Sequence, residues 1–225
     1  MYRYETHCHT TPASKCAKAS PEETLRFYKS LGYDGVFITN HFLDGNTGVD
    51  RSLPYARQIE LYFADYEQAA SLSAEVGIRV FPGVELTYGG TDFLIYGLDK
   101  AWYLAHPEIM DMPKSRELPY LAQAGAFVAQ AHPFREDYYI DHIRLYSKEV
   151  EAIEVINANR KERENRLAEY YAELFGFLKI AGSDNHVAFA QKHLAGMESE
   201  TPLSSVEDFI RRVRAGEMSI FTLEL

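Results

Sequence analysis

Two short motifs, far apart in the chain, place metal-binding side chains two residues apart. His7 and His9 flank a cysteine near the N-terminus, and Asp184 and His186 flank an asparagine. Side chains at positions i and i+2 of an extended segment lie on the same face, so each pair can bind one ion. Imidazole suits zinc, iron and manganese, and a carboxylate extends the range toward manganese and magnesium. A single His-x-His is weak evidence, but the repeated spacing favours a metal site.

Three further candidate ligands, His41, Glu85 and His132, each follow an apolar segment of strand length. In a (β/α) barrel the carboxyl ends of all strands lie on one face, where active sites are assembled. We therefore expect distant residues to converge into one metal site, made of His7, His9, His41, Glu85, His132, Asp184 and His186. The remaining histidines have polar neighbours and are predicted to lie on the surface: His106, His142 and His193.

The elements that must position these side chains alternate between short apolar segments and helices. Ser20 and Pro21 have the residue types of a helix start, and Gly77 has the type of a helix end. Further helices are predicted at 55–76, 160–175 and 205–215, and strands at 3–7, 35–38, 78–81, 93–96, 126–129, 152–156, 177–180 and 219–222. Strands that alternate with helices imply parallel pairing, and this many units predict a closed (β/α) barrel. We expect one domain over residues 1–225.

The composition restricts the classes of partner. Hydrophobic residues make up 46% of the 225 residues and charged residues 25%, as in an ordinary globular protein. The formal charge of −10 argues against long nucleic acids and anionic membrane surfaces, which require clustered lysine and arginine. The polar N-terminus gives no sign of a signal peptide, and no apolar segment has the length of a membrane span. With only Cys8 and Cys16 present, a reducing cytoplasm is the expected location.

The motifs resemble those of the polymerase-and-histidinol-phosphatase (PHP) family. The resemblance rests on His7-x-His9, Ile38-Thr39-Asn40-His41, Pro82-Gly83-Val84-Glu85, Ala131-His132-Pro133 and Gly182-Ser183-Asp184-Asn185-His186. These motifs occur in the family's order and cover residues 5–187. The resemblance implies an α/β fold with a distorted seven-stranded (β/α) barrel of PHP type. It also implies two or three divalent metal ions (manganese, iron or zinc) and hydrolysis of phosphoesters.

The resemblance further implies a division of the ligands among three ions. The first ion would be bound by His7, His9, Glu85 and Asp184. Glu85 would bridge to a second ion that also takes His132, and a third ion would be bound by His41 and His186. Among these residues, the catalytic roles are expected for Glu85, Asp184 and His132.

Three positions depart from the family pattern. Asp92 stands where the family often has a histidine; we expect it to bind metal, with a solvated turn residue as the alternative. An oxygen ligand there would favour manganese or iron. Cys16 lies where the family often has a histidine or aspartate, and an ordinary loop cysteine is preferred over a thiolate ligand. Asn40 replaces a common aspartate and can still hydrogen-bond to a ligand residue.

The expected reaction is hydrolysis of a small phosphorylated metabolite, a phosphomonoester, by a metal-activated water. Arg135 and Arg160 are the candidate phosphate-binding residues, and a role as ordinary surface arginines is the alternative for both. The segments 41–54 and 101–119 are expected to shape the pocket. Three other functions remain open: a phosphodiesterase or exonuclease acting on nucleotides or short oligonucleotides, an inactive metal-binding module, and an amidohydrolase. An amidohydrolase usually has a bridging lysine, and Glu85 occupies that place here.

Overall fold

Ten strands of the computed structural model, which describes residues 1–225, form two five-stranded sheets. The first sheet has the order β10-β9-β1-β2-β3, with β1 at Tyr2–Cys8, β2 at Gly35–Ile38, β3 at Arg79–Pro82, β9 at His193–Ser199 and β10 at Ser219–Glu224. The second has the order β4-β5-β6-β7-β8, with β4 at Val84–Tyr88, β5 at Thr91–Tyr96, β6 at Phe127–Ala131, β7 at Ala152–Asn157 and β8 at Leu178–Gly182.

The two sheets meet at two single parallel bridges. One joins Cys8 to Asn185, just beyond β8, and the other joins His41 to Glu85 in β4. The predicted α/β class is confirmed. No continuous ladder of paired strands connects the two sheets, so a closed seven-stranded barrel is not observed. Both bridges lie beside predicted metal ligands. The approach of the two sheets therefore brings the ligands of one sheet against those of the other.

The expectation that all strands pair in parallel is wrong for part of each sheet. Strands β1, β2 and β3 pair in parallel, as do β6, β7 and β8. Strand β5 is antiparallel to both β4 and β6, and β9 is antiparallel to both β1 and β10. The turn from β4 to β5 consists of Gly89 and Gly90, with φ of 56° and 83°. A two-residue turn cannot contain a crossover helix, so this connection dictates an antiparallel pair.

Six α-helices connect or cover the strands. Four were anticipated: α1 at Pro21–Ser30, α2 at Tyr55–Val76, α5 at Glu162–Phe175 and α6 at Val206–Ala215. Helix α1 begins as predicted at Ser20 and Pro21, with a capping box between Ser20 and Glu23, and α2 ends at Gly77 with φ of 72°. Two short helices, α3 at Lys100–Ala105 and α4 at Lys114–Gln123, occupy the segment expected to shape the pocket. The longest helix, α2, lacks the apolar composition of a membrane span, and the other helices lack the length.

An aromatic core fills the space between the sheets. Phe37 of β2 lies with its ring centroid 4.7 Å from those of Phe81 in β3 and Phe209 in α6. Tyr96 of β5 completes the contact from the second sheet and donates its hydroxyl to the carbonyl of Thr6 at 2.8 Å. All of these rings are buried, so the core fixes the spacing of the strands that carry the residues predicted to bind metal.

Candidate metal site

Every residue predicted to bind metal lies in one cluster. His7 and His9 come from the end of β1, His41 follows β2, His132 follows β6, and Asp184 and His186 follow β8. Glu85 and Asp92 are each the second residue of a strand, β4 and β5. Since β5 runs antiparallel to its neighbours, its amino end faces the site where the carboxyl end of β6 arrives. All eight side chains are buried except His186, which is half-buried.

Glu85 is at the centre of the cluster. Its Oε1 atom lies 3.1 Å from Nε2 of His7 and 3.5 Å from Nε2 of His132. Its Oε2 atom lies 2.6 Å from Nδ1 of His41 and 3.5 Å from Nε2 of His9. One carboxylate therefore contacts imidazoles carried by four different positions of the chain.

Asp184 follows β8, at the other edge of the sheet that contains Glu85, and contacts two of the same imidazoles. Its Oδ1 atom lies 3.3 Å from Nε2 of His9 and 3.6 Å from Nε2 of His7. The donor atoms fall into three overlapping groups, each with all its atoms within 4.8 Å: His7, His9 and Asp184; His7, Glu85 and His132; His9, His41 and His186. His9 thus joins His41 and His186, a contact that the resemblance did not include.

The cluster fits divalent metal ions better than it fits hydrogen bonding among its own side chains. Both carboxylate oxygens of Glu85, Nδ1 of His41 and Oδ1 of Asp92 are buried without a well-aligned hydrogen bond, although Oε2 of Glu85 and Nδ1 of His41 lie only 2.6 Å apart. Nε2 of His7 and Nε2 of His9 lie 3.2 Å apart, although at most one hydrogen can lie between them. Buried polar atoms without partners are costly, and a cation bound between imidazoles and carboxylates removes that cost. The donor set therefore supports divalent metal binding.

Glu154 and Ser14 each contact Nδ1 of one imidazole, on the side of the ring away from the cluster. Oε1 of Glu154 lies 2.8 Å from Nδ1 of His7, and Oε2 accepts from the backbone amide of His132 at 3.0 Å. The Ser14 hydroxyl lies 3.0 Å from Nδ1 of His9 and accepts from the His41 amide at 2.9 Å. Contacts of this kind fix the ring orientation, with Nε2 turned toward the site.

Neither supporting residue was identified from the sequence. Glu154 lies in the middle of the apolar segment predicted as a strand, and an acidic residue at such a position was a signal that it has a buried partner. Ser14 gave no comparable signal. Asn40, expected to support a ligand, accepts from the Thr10 amide at 2.7 Å and from the Ser14 hydroxyl at 2.9 Å. It therefore acts on His9 and His41 through Ser14.

The electrostatics of the cluster favour charged carboxylates and one neutral imidazole. Burial opposes ionisation of Glu85, but the imidazoles of His41 and His7 hold its pKa well below the usual range. Burial likewise opposes ionisation of Asp184, and His7 and His9 hold its pKa well below normal. Burial, together with His186 and His41, lowers the pKa of His9 well below that of a free imidazole. Ionised carboxylates and neutral imidazole are the ligand forms that bind metal. Neighbouring acidic groups raise the pKa of His7, His41 and His186 against the effect of burial, so these imidazoles would release protons when an ion binds.

The backbone is strained at two of the ligands. His132 has φ of 28° and Asp184 has φ of 52°, a region that residues with a β-carbon seldom occupy. Such conformations cost about 1–3 kcal/mol each and concentrate at functional sites. Gly182 lies close by, and a β-carbon on it would be 2.5 Å from Cβ of His7. Strand β8 can approach β1 this closely because residue 182 has no side chain.

A cavity of about 530 Å³, lined mostly by polar residues, opens onto the cluster. Arg135 lies in its wall, with Nη1 at 3.0 Å from Oδ2 of Asp92 and Nη2 against the Tyr139 hydroxyl. Arg160 also lines the cavity, with Nε donating to the Asn159 carbonyl at 2.8 Å. From the 41–54 loop, Asn46 lines the cavity in addition to His41, whereas no residue of the 101–119 segment lines it. The expectation for that segment is wrong because its first helix, α3, packs beside α2 instead.

The other histidines lie outside the site. His106 stacks on Trp102, with ring centroids 4.2 Å apart, and its Nδ1 lies 2.7 Å from the Trp102 carbonyl oxygen. His142 and His193 are exposed. Cys8 is fully buried, and its thiol donates to the Phe37 carbonyl at 3.4 Å.

Solved structures share this fold. A two-domain protein from Bacteroides vulgatus that contains a predicted PHP-like metal-dependent phosphoesterase superimposes with a TM-score of 0.68 over 98% of the chain, at 14% identity. PsfC from Pseudomonas syringae gives a TM-score of 0.59 over 100% of this chain and 93% of its own, at 16% identity. An amidohydrolase from Chromobacterium violaceum, with bound sulfate and no metal, gives 0.58 over 96% and 97%, at 13% identity.

The chain spans 64% of the length of the Bacteroides protein. A proposed metal-dependent phosphoesterase from Bifidobacterium adolescentis also matches, with a TM-score of 0.57 at 14% identity. No protein-family model and no curated protein sequence matches the chain. At these identities the comparisons establish only that the chain shares its fold with these proteins, among them ones described as PHP-like metal-dependent phosphoesterases and an amidohydrolase.

Proposed function

We propose that the protein is a hydrolase that cleaves a small phosphomonoester with a water molecule activated by two or three divalent metal ions. The observation that carries this proposal is the meeting of five imidazoles with Glu85 and Asp184 in overlapping groups, where buried ligand atoms have no hydrogen-bond partner. The fold shared with proteins described as metal-dependent phosphoesterases supports the same class of reaction. Sulfate bound to the related amidohydrolase is consistent with an oxyanion ligand on this fold.

Each group of donors has the composition of one metal site. His7, His9 and Asp184 would bind one ion. Glu85 and His132 would bind a second together with Asp92, whose Oδ2 lies 3.7 Å from Nε2 of His132 and whose Oδ1 has no partner. His41 and His186 of the remaining group would bind a third ion, because Nε2 of His9 already serves the first and its Nδ1 contacts Ser14. When bound, such ions lower the pKa of water toward neutrality and neutralise charge on a phosphoryl group.

The protein side chains orient the substrate at the wall of the cavity. Arg135 places a planar guanidinium in the wall of the cavity, where it would bind phosphoryl oxygens. Its contact with Asp92 holds the guanidinium beside the second group of ligands. Arg160 lies at the rim of the same cavity and would contact the part of the substrate that extends outward. A cavity of about 530 Å³ with a polar lining suits a small phosphorylated metabolite rather than a long polynucleotide.

A substrate panel with parallel metal analysis tests this function. Protein purified without chelator should contain two or three transition-metal ions per chain and should hydrolyse p-nitrophenyl phosphate. Asp184→Ala should lose activity and metal, while Asp141→Ala, at an exposed aspartate outside the ligand cluster, should keep both. Faster cleavage of bis(p-nitrophenyl) phosphate would indicate a phosphodiesterase, and cleavage of N-acyl amides would indicate an amidohydrolase. Less than one ion per chain after manganese or zinc loading would contradict the proposal and favour an inactive module.

A further inference from the structure

A second groove adjoins the cavity of the metal site at Asn159 and Arg160. It has a volume of about 500 Å³, and these two residues line both spaces. One wall of the groove is the segment 158–161, between β7 and α5, and the other is the segment 190–193, which leads into β9. A substrate whose phosphoryl group reaches the metal cluster can therefore extend past Arg160 into this groove.

Both walls of the groove are connected to residues of the metal cluster. The side-chain amide of Asn159 donates to the Asp184 carbonyl at 3.4 Å, and Nε of Arg160 donates to the Asn159 carbonyl at 2.8 Å. The opposite wall follows His186 along the chain, through a single turn of 3-10 helix. The groove is therefore held in a defined position relative to the candidate metal ligands.

The lining of the groove is basic and includes no acidic residue. The side chains that can carry a positive charge there are Arg160, Lys161, Lys192 and His193. Only two carboxylates approach them: Glu164 lies 3.8 Å from Nζ of Lys161, and Glu224 lies 3.7 Å from Nδ1 of His193. The other two side chains form no ion pair with the protein. The groove thus presents positive charge that the protein itself does not neutralise.

The cavity of the metal site has a different balance of charge. Its Arg135 pairs with Asp92 at 3.0 Å, and Glu85 and Asp184 are candidate metal ligands. Free cations grouped in one groove attract an anion, although the formal charge of the whole chain is −10. Arginine and lysine bind phosphate and carboxylate groups through charge-assisted hydrogen bonds. The groove therefore has the chemistry of a site for an anionic group.

We propose that the groove binds a second anionic group of the substrate, a phosphate or a carboxylate on the alcohol side of the ester. The inference rests on the proposed hydrolysis of a phosphomonoester, and it narrows the substrate class to esters with two separate anionic groups. Arg160, whose side chain is hydrogen-bonded to the protein through Nε alone, would lie between the two groups. Lys161 and Lys192 then determine specificity without contact with the reacting atoms. Hydrolysis would release inorganic phosphate and an anionic alcohol.

Matched synthetic esters test this subsite. Manganese-loaded protein is assayed with alkanediol monophosphates of several chain lengths, and with the corresponding bisphosphates and phosphooxy carboxylates. At the chain length that spans both spaces, the second anion should raise kcat/KM by about tenfold, the scale of one hydrogen bond to a charged group. The change should be mainly in KM, because a contact far from the reacting bond stabilises the bound substrate and the transition state equally. Comparison of bisphosphate with carboxylate identifies which anion the groove prefers.

A double variant links the preference to the groove. Lys161→Ala combined with Lys192→Ala should lose most of the preference for the second anion. Lys29→Ala combined with Lys148→Ala is the matched control, because it removes the same charge at two exposed lysines outside both spaces, and it should keep the preference.

The outcomes separate this subsite from the proposed function. Equal kcat/KM for esters with and without the second anion at every chain length would overturn the subsite and leave the hydrolase intact. A full preference in the variant that lacks Lys161 and Lys192 would also overturn it, because the second anion would then bind elsewhere. Failure of the metal-loaded protein to cleave any of the esters would overturn the proposed function, and the subsite with it.

Discussion

The Nδ1 atom of His7 lies 2.8 Å from Oε1 of Glu154, and both side chains are fully buried. With Nδ1 occupied in this way, Nε2 of the ring is directed at Glu85 and Asp184. The other oxygen of Glu154 accepts from the amide of His132, where the backbone is strained. One carboxylate thus fixes two ligands on two different strands, without contacting the atoms that would bind metal.

We therefore expect Glu154→Gln to weaken metal binding while the fold is retained. The amide has nearly the same shape, but it loses the charge that supports His7 and can present an N–H where an acceptor is needed. Loss of a group that supports a metal ligand typically lowers affinity by about 10- to 100-fold. Metal competition with a chelator measures this change. Glu151→Gln, at a carboxylate paired with Arg214 on the surface, is the control. Equal affinity in wild type and Glu154→Gln would show that Glu154 has only a structural role.

Asp92→Ala distinguishes two roles of Asp92, as a metal ligand and as a partner of Arg135 alone. Asp92 contacts both Nε2 of His132 and Nη1 of Arg135. If its free oxygen binds the second ion, the variant should contain about one ion less per chain after dialysis, measured by elemental analysis. Asp137→Ala is the matched control, because Asp137 approaches the same arginine at 3.9 Å but stands outside the cluster. Unchanged metal content in Asp92→Ala would make Asp92 a partner of Arg135 alone.

The sequence predicted the convergence of the candidate ligands better than it predicted the sheets. His7, His9, His41, His132, Asp184 and His186 were recognisable because each lies at or just after the end of a buried strand, and that position survives in either type of sheet. The sheet order could not be read in the same way, because β4 and β9 were not recognised as strands. Val84–Tyr88 overlaps the Glu85 motif, and His193–Ser199 contains charged and small residues. Pairing partners are decided by packing between distant segments, which local patterns do not record.

The supporting contacts were beyond prediction for a related reason. Gly182 was part of a recognised motif, but its function depends on the approach of His7, far earlier in the chain, at a distance set by both sheets. Ser14 and Asn40 support the ligands through hydrogen bonds between separate loops. Only Glu154, an acidic residue in an apolar strand, carried a readable signal. Side-chain identity can indicate that a buried partner exists, but only the fold identifies the partner.

Lys114→Met should destabilise the fold because Lys114 lies buried between Asp44 and Glu117. Breaking a buried ion pair by removing one partner typically costs about 3–5 kcal/mol, and Asp44 also anchors the amide of Thr87 in β4. Denaturation by urea measures the loss. Lys100→Met, at an exposed pair with Glu67, should cost less than about 1 kcal/mol.

The loss of stability in Lys114→Met should depend on pH in a defined direction. Burial, only partly offset by Lys114, raises the pKa of Glu117 to about 7 from an ordinary value of 4.5. A carboxyl with a raised pKa favours the fold below 4.5, and this contribution is lost as the pH rises through about 7. The destabilisation of Lys114→Met should therefore be larger at about pH 8 than at about pH 5.5. The same loss at both pH values would show that Glu117 does not titrate in this range.

Arg135→Ala separates substrate binding from metal binding. Arg135 contacts no imidazole of the cluster, but its guanidinium lines the cavity beside Asp92. If Arg135 binds the phosphoryl group, its removal should slow the reaction and leave the metal content unchanged. We expect a fall in kcat/KM for a phosphomonoester that corresponds to a loss of about 2–4 kcal/mol of transition-state stabilisation. This is the usual scale for removing one charge-stabilising donor. Arg135→Lys should recover part of this, since lysine restores the charge without the planar fork.

The control for this comparison is Arg163→Ala, because Arg163 pairs with Glu136 on the surface and does not line the cavity. Its kcat/KM and metal content should both match wild type. Each sample needs metal analysis beside the kinetics, because loss of the charge on Arg135 also leaves Asp92 without its arginine. A fall in kcat/KM at constant metal content assigns Arg135 to the substrate. If metal loss accounts for the fall in kcat/KM, Arg135 acts by holding Asp92 in place. Unchanged kinetics would show that Arg135 has only a structural role in the wall of the cavity.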